Sequence, residues 1–284
     1  MNTDYSEFGR CRQSRYAIGW LVVFVTGIII CTGAANAWGE QRPNLSGTWI
    51  WPALSPDDPS WRIEDLACQG GCSSAGFKYL QELLRDPQNK DKSLTVLYDE
   101  MLRYNEAHIS SLLTPAAKKK LAEFDPTNDP TLDCSPDGDG WRHQILAPLP
   151  FQIEQFDDKV TIRYEYWNAV RTVYMDGRAR PSNEAPTRLG HSIGRFDGST
   201  LVVETTGLIP AGVGLPGGGS VPHSSEARAI ERFTLSDNGK RLDIEWAVED
   251  PVNFLKPVKG QASVLSSRET ELERFVCEAT TGEF

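Results

Sequence analysis

Leu189-Gly190-His191-Ser192-Ile193-Gly194-Arg195-Phe196-Asp197-Gly198-Ser199-Thr200-Leu201-Val202-Val203-Glu204-Thr205-Thr206 reads as a single β-hairpin. Two runs of strand formers flank Asp197-Gly198, a pair whose glycine accepts the positive φ of a tight hairpin turn. Side chains alternate along a strand. Gly190, Ser192 and Gly194 therefore share one face, and His191, Ile193 and Arg195 share the other.

The same pattern runs outward from this hairpin. Upstream, Phe151 to Phe156 alternates and Asp157-Asp158 turns it. Val160, Ile162, Tyr164 and Tyr166 alternate with Thr161, Arg163 and Glu165, and a turn near Asn168 leads into Val170 to Met175. Downstream come Arg228 to Leu235, Leu242 to Val248 and Val264 to Val276, with Asn238-Gly239 at a hairpin tip. Near the start, Leu45 to Trp51 is a first strand with Trp49 and Trp51 on one face. That makes about nine strands, mostly joined by short turns, which implies antiparallel neighbours. A sheet this long removes its edges by closing. The expected fold is mainly β: an antiparallel meander closing into a barrel, with a β-sandwich as the alternative.

One region breaks the alternation. Phe77, Leu80, Leu83 and Leu84 recur at helical spacing until Pro87, and Leu94, Leu97, Met101 and Leu102 repeat it. Thr114-Pro115 starts a third, short helix, with threonine as N-cap and proline at the first helical position. We expect a helical insertion after the first strand, at about residues 74–124.

The first residues suggest export. Arg10, Arg12 and Arg15 precede an apolar run from Tyr16 to Ile30, and Ala35-Asn36-Ala37 suits a signal peptidase. The expectation is a signal peptide over 1–37, a single domain over 38–284, and a periplasmic or secreted product. An uncleaved anchor is the rival, and membrane contact is expected only through the leader. The net charge is −10, which argues against nucleic acid and anionic membrane surfaces because both need a basic face. Four cysteines follow the leader: Cys68, Cys72, Cys134 and Cys277. An even count in an oxidising compartment points to disulfides, and we expect Cys68–Cys72 and Cys134–Cys277. With no Cys-x-x-Cys, a four-thiolate zinc site has little support.

Several motifs stand in order: Pro150-Phe151-Gln152-Ile153, Tyr164-Glu165-Tyr166, Tyr174-Met175-Asp176-Gly177-Arg178, Leu189 to Phe196, Leu201 to Gly207 and Pro222-His223-Ser224. Together they resemble a family of uncharacterised exported bacterial proteins described as lipocalin-like. The resemblance implies a lipocalin-like barrel and brings no activity with it. Gly140-Trp141-Arg142 stands where the family tends to place Pro-Arg.

His191 is the leading candidate for chemistry, with Arg195 two residues on and Glu204 on the returning strand as a carboxylate partner. If their face looks inward, His191 is a general base and Arg195 stabilises developing negative charge. Arg171, Tyr174, Tyr164, Tyr166 and His223 are candidate ligand-binding residues, with His223 closing over the same mouth after the glycine-rich run 212–219. No His-x-His spacing supports a metal triad, and the glycine-rich run lacks the Lys-Ser/Thr of a phosphate loop, so no metal or cofactor is expected. Three functions compete: a small-molecule binding module, an acid/base enzyme (isomerase, lyase or hydrolase) built on His191, and a filled barrel serving as an envelope interaction protein.

Overall fold

The computed structural model describes residues 42–51, 72–125, 127, 130–136, 149–214 and 220–279. The expected leader and Cys68 of the expected clasp lie outside these residues. Strands β1 (Gly47–Ile50) and β2 (Cys72–Ser73) precede the helices α1 (Ser74–Arg85), α2 (Leu94–Leu112) and α3 (Pro115–Ala122). Then come β3 (Phe151–Gln155), β4 (Lys159–Tyr164), β5 (Val170–Tyr174), β6 (His191–Asp197) and β7 (Thr200–Thr206). After β8 (Ala211–Gly214) and β9 (Ser220–His223), the strands β10 (Arg228–Ser236), β11 (Arg241–Glu249) and β12 (Val258–Ser267) complete the set.

Nine of these strands close into a barrel in the order β1-β3-β4-β5-β6-β7-β10-β11-β12, and β12 pairs back onto β1 through Thr48↔Ser267 and Ile50↔Leu265. β2 takes another stretch of the β12 edge, and β8 and β9 form a separate ribbon. The barrel is thus the expected one, with the helical insertion after its first strand. One pairing differs from a pure meander: β5 and β6 run parallel, with Val173↔Ser192 and Tyr174↔Ile193 in register. A parallel neighbour needs a long crossover, and residues 175–190 supply it as a strap across the outside of the seam.

Alternation fills the inside. β11 buries Leu242, Ile244, Trp246 and Val248, β4 buries Val160, Ile162 and Tyr164, and Trp49 and Trp51 are buried from one face of the first strand. Each large apolar side chain so buried contributes about 1.5–3 kcal/mol. The β6–β7 hairpin turns with Gly198 at φ +58°.

The helices start as their sequence dictates. Ser73, Ser93 and Thr114 each accept a hydrogen bond from the backbone N–H three residues on, and Pro115 follows the last of them. Leu80, Leu83, Leu97 and Met101 form the helices' own small core. No helix among the described residues is long and apolar enough to cross a membrane. The Cys134–Cys277 disulfide forms, with the two Cα atoms 5.7 Å apart. Asn168 fixes the same tail, donating to the Phe275 carbonyl at 2.9 Å and accepting from its N–H at 3.0 Å.

Candidate functional site

Two polar groupings flank the parallel seam, one inside the barrel and one outside. The inner one centres on Arg171, which β5 points inward at 2% exposure. Its Nε donates to Ser192 Oγ on β6 at 3.0 Å, and its Nη2 to Thr205 Oγ1 on β7 at 2.7 Å. Both terminal nitrogens donate to the two carboxylate oxygens of Glu231 on β10, Nη1 at 3.1 Å. The Tyr164 hydroxyl is a further neighbour that interacts with the guanidinium. Burial opposes the Arg171 charge, yet the Glu231 carboxylate outweighs it and holds the group more basic than usual. Burial pushes the Tyr164 phenol up to about 12, against the opposing pull of Arg171.

The outer grouping begins with His191. β6 turns Ser192 and Gly194 into the barrel, so His191, Ile193 and Arg195 face out. The expectation that His191 and Arg195 line the cavity is therefore corrected. The physical reason is crowding at the seam. A Cβ on Gly194 would fall 2.7 Å from Val173 Cγ1 and 2.8 Å from Met175 Sδ, so only the small-residue face fits inside.

The expected His191–Glu204 pair does not form either. Register sets His191 opposite Thr206 and Glu204 opposite Ile193. Glu204 accepts from Arg228 at 2.6 Å instead, and that hydrogen bond holds its carboxyl below the usual range. Arg195 is exposed on the outer face, opposite Val202.

His191 is nonetheless buried, at 8% exposure, because the strap covers it. Its ring stacks on Tyr174 with centroids 5.1 Å apart. Nδ1 lies 3.3 Å from the Glu184 carboxylate and Nε2 lies 3.2 Å from the Arg178 carbonyl. Both ring nitrogens thus face acceptors. An imidazolium donates to both, whereas a neutral ring donates to one. Arg178 lies over Tyr174, 4.6 Å from the ring centre, and pairs with Asp176, whose carboxyl it lowers to about 2. Arg180 donates to the Glu184 carbonyl.

A cleft of about 300 Å³ opens at this seam, where β5 runs on beyond the start of β6. Thr172, Tyr174, Glu184, Arg188, Gly190 and His191 are among its walls. Arg188 is half-buried, and its Nη1 is sealed from solvent with no acceptor among the described residues.

The other expected ligand residues divide. Tyr174 lines the cleft and Tyr164 lies inside the barrel. Tyr166 leaves the cavity wall: β4 ends at Tyr164, and Tyr166 sits in the following turn, edge-on to Phe275 at 5.2 Å. His223 is buried at 2% and is not part of the cleft wall. Burial depresses its basicity. Its neighbour Ser224 donates to Asp250 from both Oγ and backbone N, which anchors the chain between β9 and β10.

Sequence reasoning missed Glu231, Glu184 and Arg188. Glu231 had a signal, since it interrupts the alternating Ala229 and Phe233 on the inward face of β10. Glu184 and Arg188 sit in irregular chain, where no period applies.

No family model and no curated protein matches this chain. Among solved structures, a mutant of the fluorescent protein UnaG is similar over 42% of this chain and 72% of its own, at 15% identity and a TM-score of 0.27. A likeness of that size carries no argument. The barrel described above rests on its strand pairings.

Proposed function

We propose that this is an exported binding protein for a small molecule, and that the ligand sits in the cleft at the β5–β6 seam rather than in the barrel interior. The observation that carries this reading is the cleft itself, a hollow of about 300 Å³ walled by polar side chains, one of them an arginine with no partner among the described residues. Binding sites combine a concave surface with a few convergent polar groups. The interior offers less, because every guanidinium nitrogen of Arg171 is already engaged. Export is supported by the basic stretch, apolar run and Ala35-Asn36-Ala37 of the first residues.

The acid/base reading has weaker support. A general base needs a nitrogen free to take the substrate's proton. In His191 one nitrogen faces the Glu184 carboxylate and the other the Arg178 carbonyl. The ring is better placed to hold the strap than to move protons.

The test is a metabolite screen by native mass spectrometry, followed by amide-exchange mapping of any hit. A retained small molecule that protects residues 170–174 and 187–191 supports the proposal. A ligand that protects only inward residues of β7, β10 and β11 places the seat in the interior and overturns it, as does a screen with no hit.

A further inference from the structure

We infer that the cleft takes a small organic acid bearing a single carboxylate, received by Arg188. This rests on the reading of the cleft as a ligand seat. The segment 176–191 carries Arg178, Arg180 and Arg188 against Asp176 and Glu184, so it is locally cationic within a chain of net charge −10. Two of those arginines are committed: Arg178 to Asp176, and Arg180 to Glu184. Arg188 makes no hydrogen bond or ion pair among the described residues, and its Nη1 is buried without an acceptor.

A guanidinium cannot escape this position by losing its proton. It can escape by turning into the cleft that Arg188 already lines. The turn breaks nothing, because Nη1 has no acceptor to leave. What it needs is an acceptor in the cleft. A carboxylate is planar and offers two oxygens matched to the guanidinium fork.

The charge of the ligand follows from the other charged side chain of the wall. The Glu184 carboxylate stands in the same cleft, beside His191. A dianion such as sulfate would carry one negative charge beyond what the single unpaired arginine neutralises, and that excess would face Glu184. A monocarboxylate neutralises Arg188 and leaves Glu184 facing the ligand's donor groups. The cleft volume of about 300 Å³ lies at the small end of ligand sites and sets a correspondingly small molecule.

The experiment is an NMR titration of the purified, 15N-labelled protein at pH 7 and low salt. The probes are sodium lactate, its uncharged amide lactamide, and inorganic sulfate. Lactate is expected to shift the amides of Thr172, Tyr174, Gly190 and His191 and the Arg188 Nε–H saturably, with the other two at least about tenfold weaker. Arg188→Gln is expected to weaken lactate by about tenfold or more while leaving the melting temperature in place. Lactamide binding as well as lactate would overturn the acid assignment and leave the seat standing. Sulfate binding more tightly than lactate would overturn it in favour of a dianion. Lactate binding unchanged in Arg188→Gln would remove Arg188 as the receiving group. Silence at the cleft from all three probes also overturns the acid assignment, and the metabolite screen then decides separately whether the seat stands.

Discussion

Arg171 and Arg188 lie on either side of the same β-seam, and the protein treats them oppositely. Arg171 is deeper, yet each of its guanidinium nitrogens has a partner, drawn from β6, β7 and β10. Arg188 is half-buried, and its guanidinium has no partner among the described residues. A saturated polar cluster ties strands together and leaves nothing to offer a ligand. An unsaturated cation beside a hollow keeps its binding capacity. The difference teaches that, at this seam, partner count and not depth of burial separates the structural arginine from the candidate binding one.

The sharpest way to break this contrast is to remove each arginine in turn. Arg171→Met leaves the Glu231 carboxylate buried and unpaired and is expected to cost about 3–5 kcal/mol of stability in urea unfolding. Adding Glu231→Leu is expected to restore most of that loss, since the uncompensated charge goes with it. Arg188→Met is expected to stay within about 0.5 kcal/mol of the parent. Equal losses from the two single variants would erase the contrast.

A smaller effect sharpens the interior side. Tyr164 is held up to about 12 by burial, whereas an unfolded tyrosine ionises near 10. Between those values the unfolded chain gives up a proton that the folded one keeps, so stability falls as pH rises from about 10 to 12. The loss is on the order of 2 kcal/mol. Tyr164→Phe is expected to flatten that part of the stability–pH curve, and a curve that stays as steep would detach Tyr164 from the cluster.

The smallest expected effect belongs to the strap. His191→Gln keeps a polar side chain able to replace the contact to Glu184 or the one to Arg178, so the global loss is about 1 kcal/mol or less. The local consequence is larger in kind: amide exchange within 178–187 is expected to speed up while the β10–β11 hairpin keeps its protection. Uniform acceleration through both regions would mean that His191 supports the barrel rather than its strap.

Much of the barrel could be read from alternation and turns because both are local. Trp49 and Trp51 share a buried face, Gly198 turns the β6–β7 hairpin, and Thr114-Pro115 opens a helix. The candidate site was less accessible. Glu184 and Arg188 reach the cleft through an irregular crossover, and Glu231 meets Arg171 across 60 residues of chain. Tyr166 was misplaced because alternation cannot say where a strand stops, and the turn through Trp167 and Asn168, both at positive φ, stopped β4 before it.

The amino-acid order alone fixed which residues of the 189–206 hairpin share a face, because the pleat imposes period two on any strand. It could not fix which face looks inward. That sign was decided by Val173, Met175 and Leu201 packing against Gly194, which left room inside only for the small residues and put His191 under the strap. Alternation comes from neighbouring bonds, whereas inside and outside come from strands that meet only when the barrel closes.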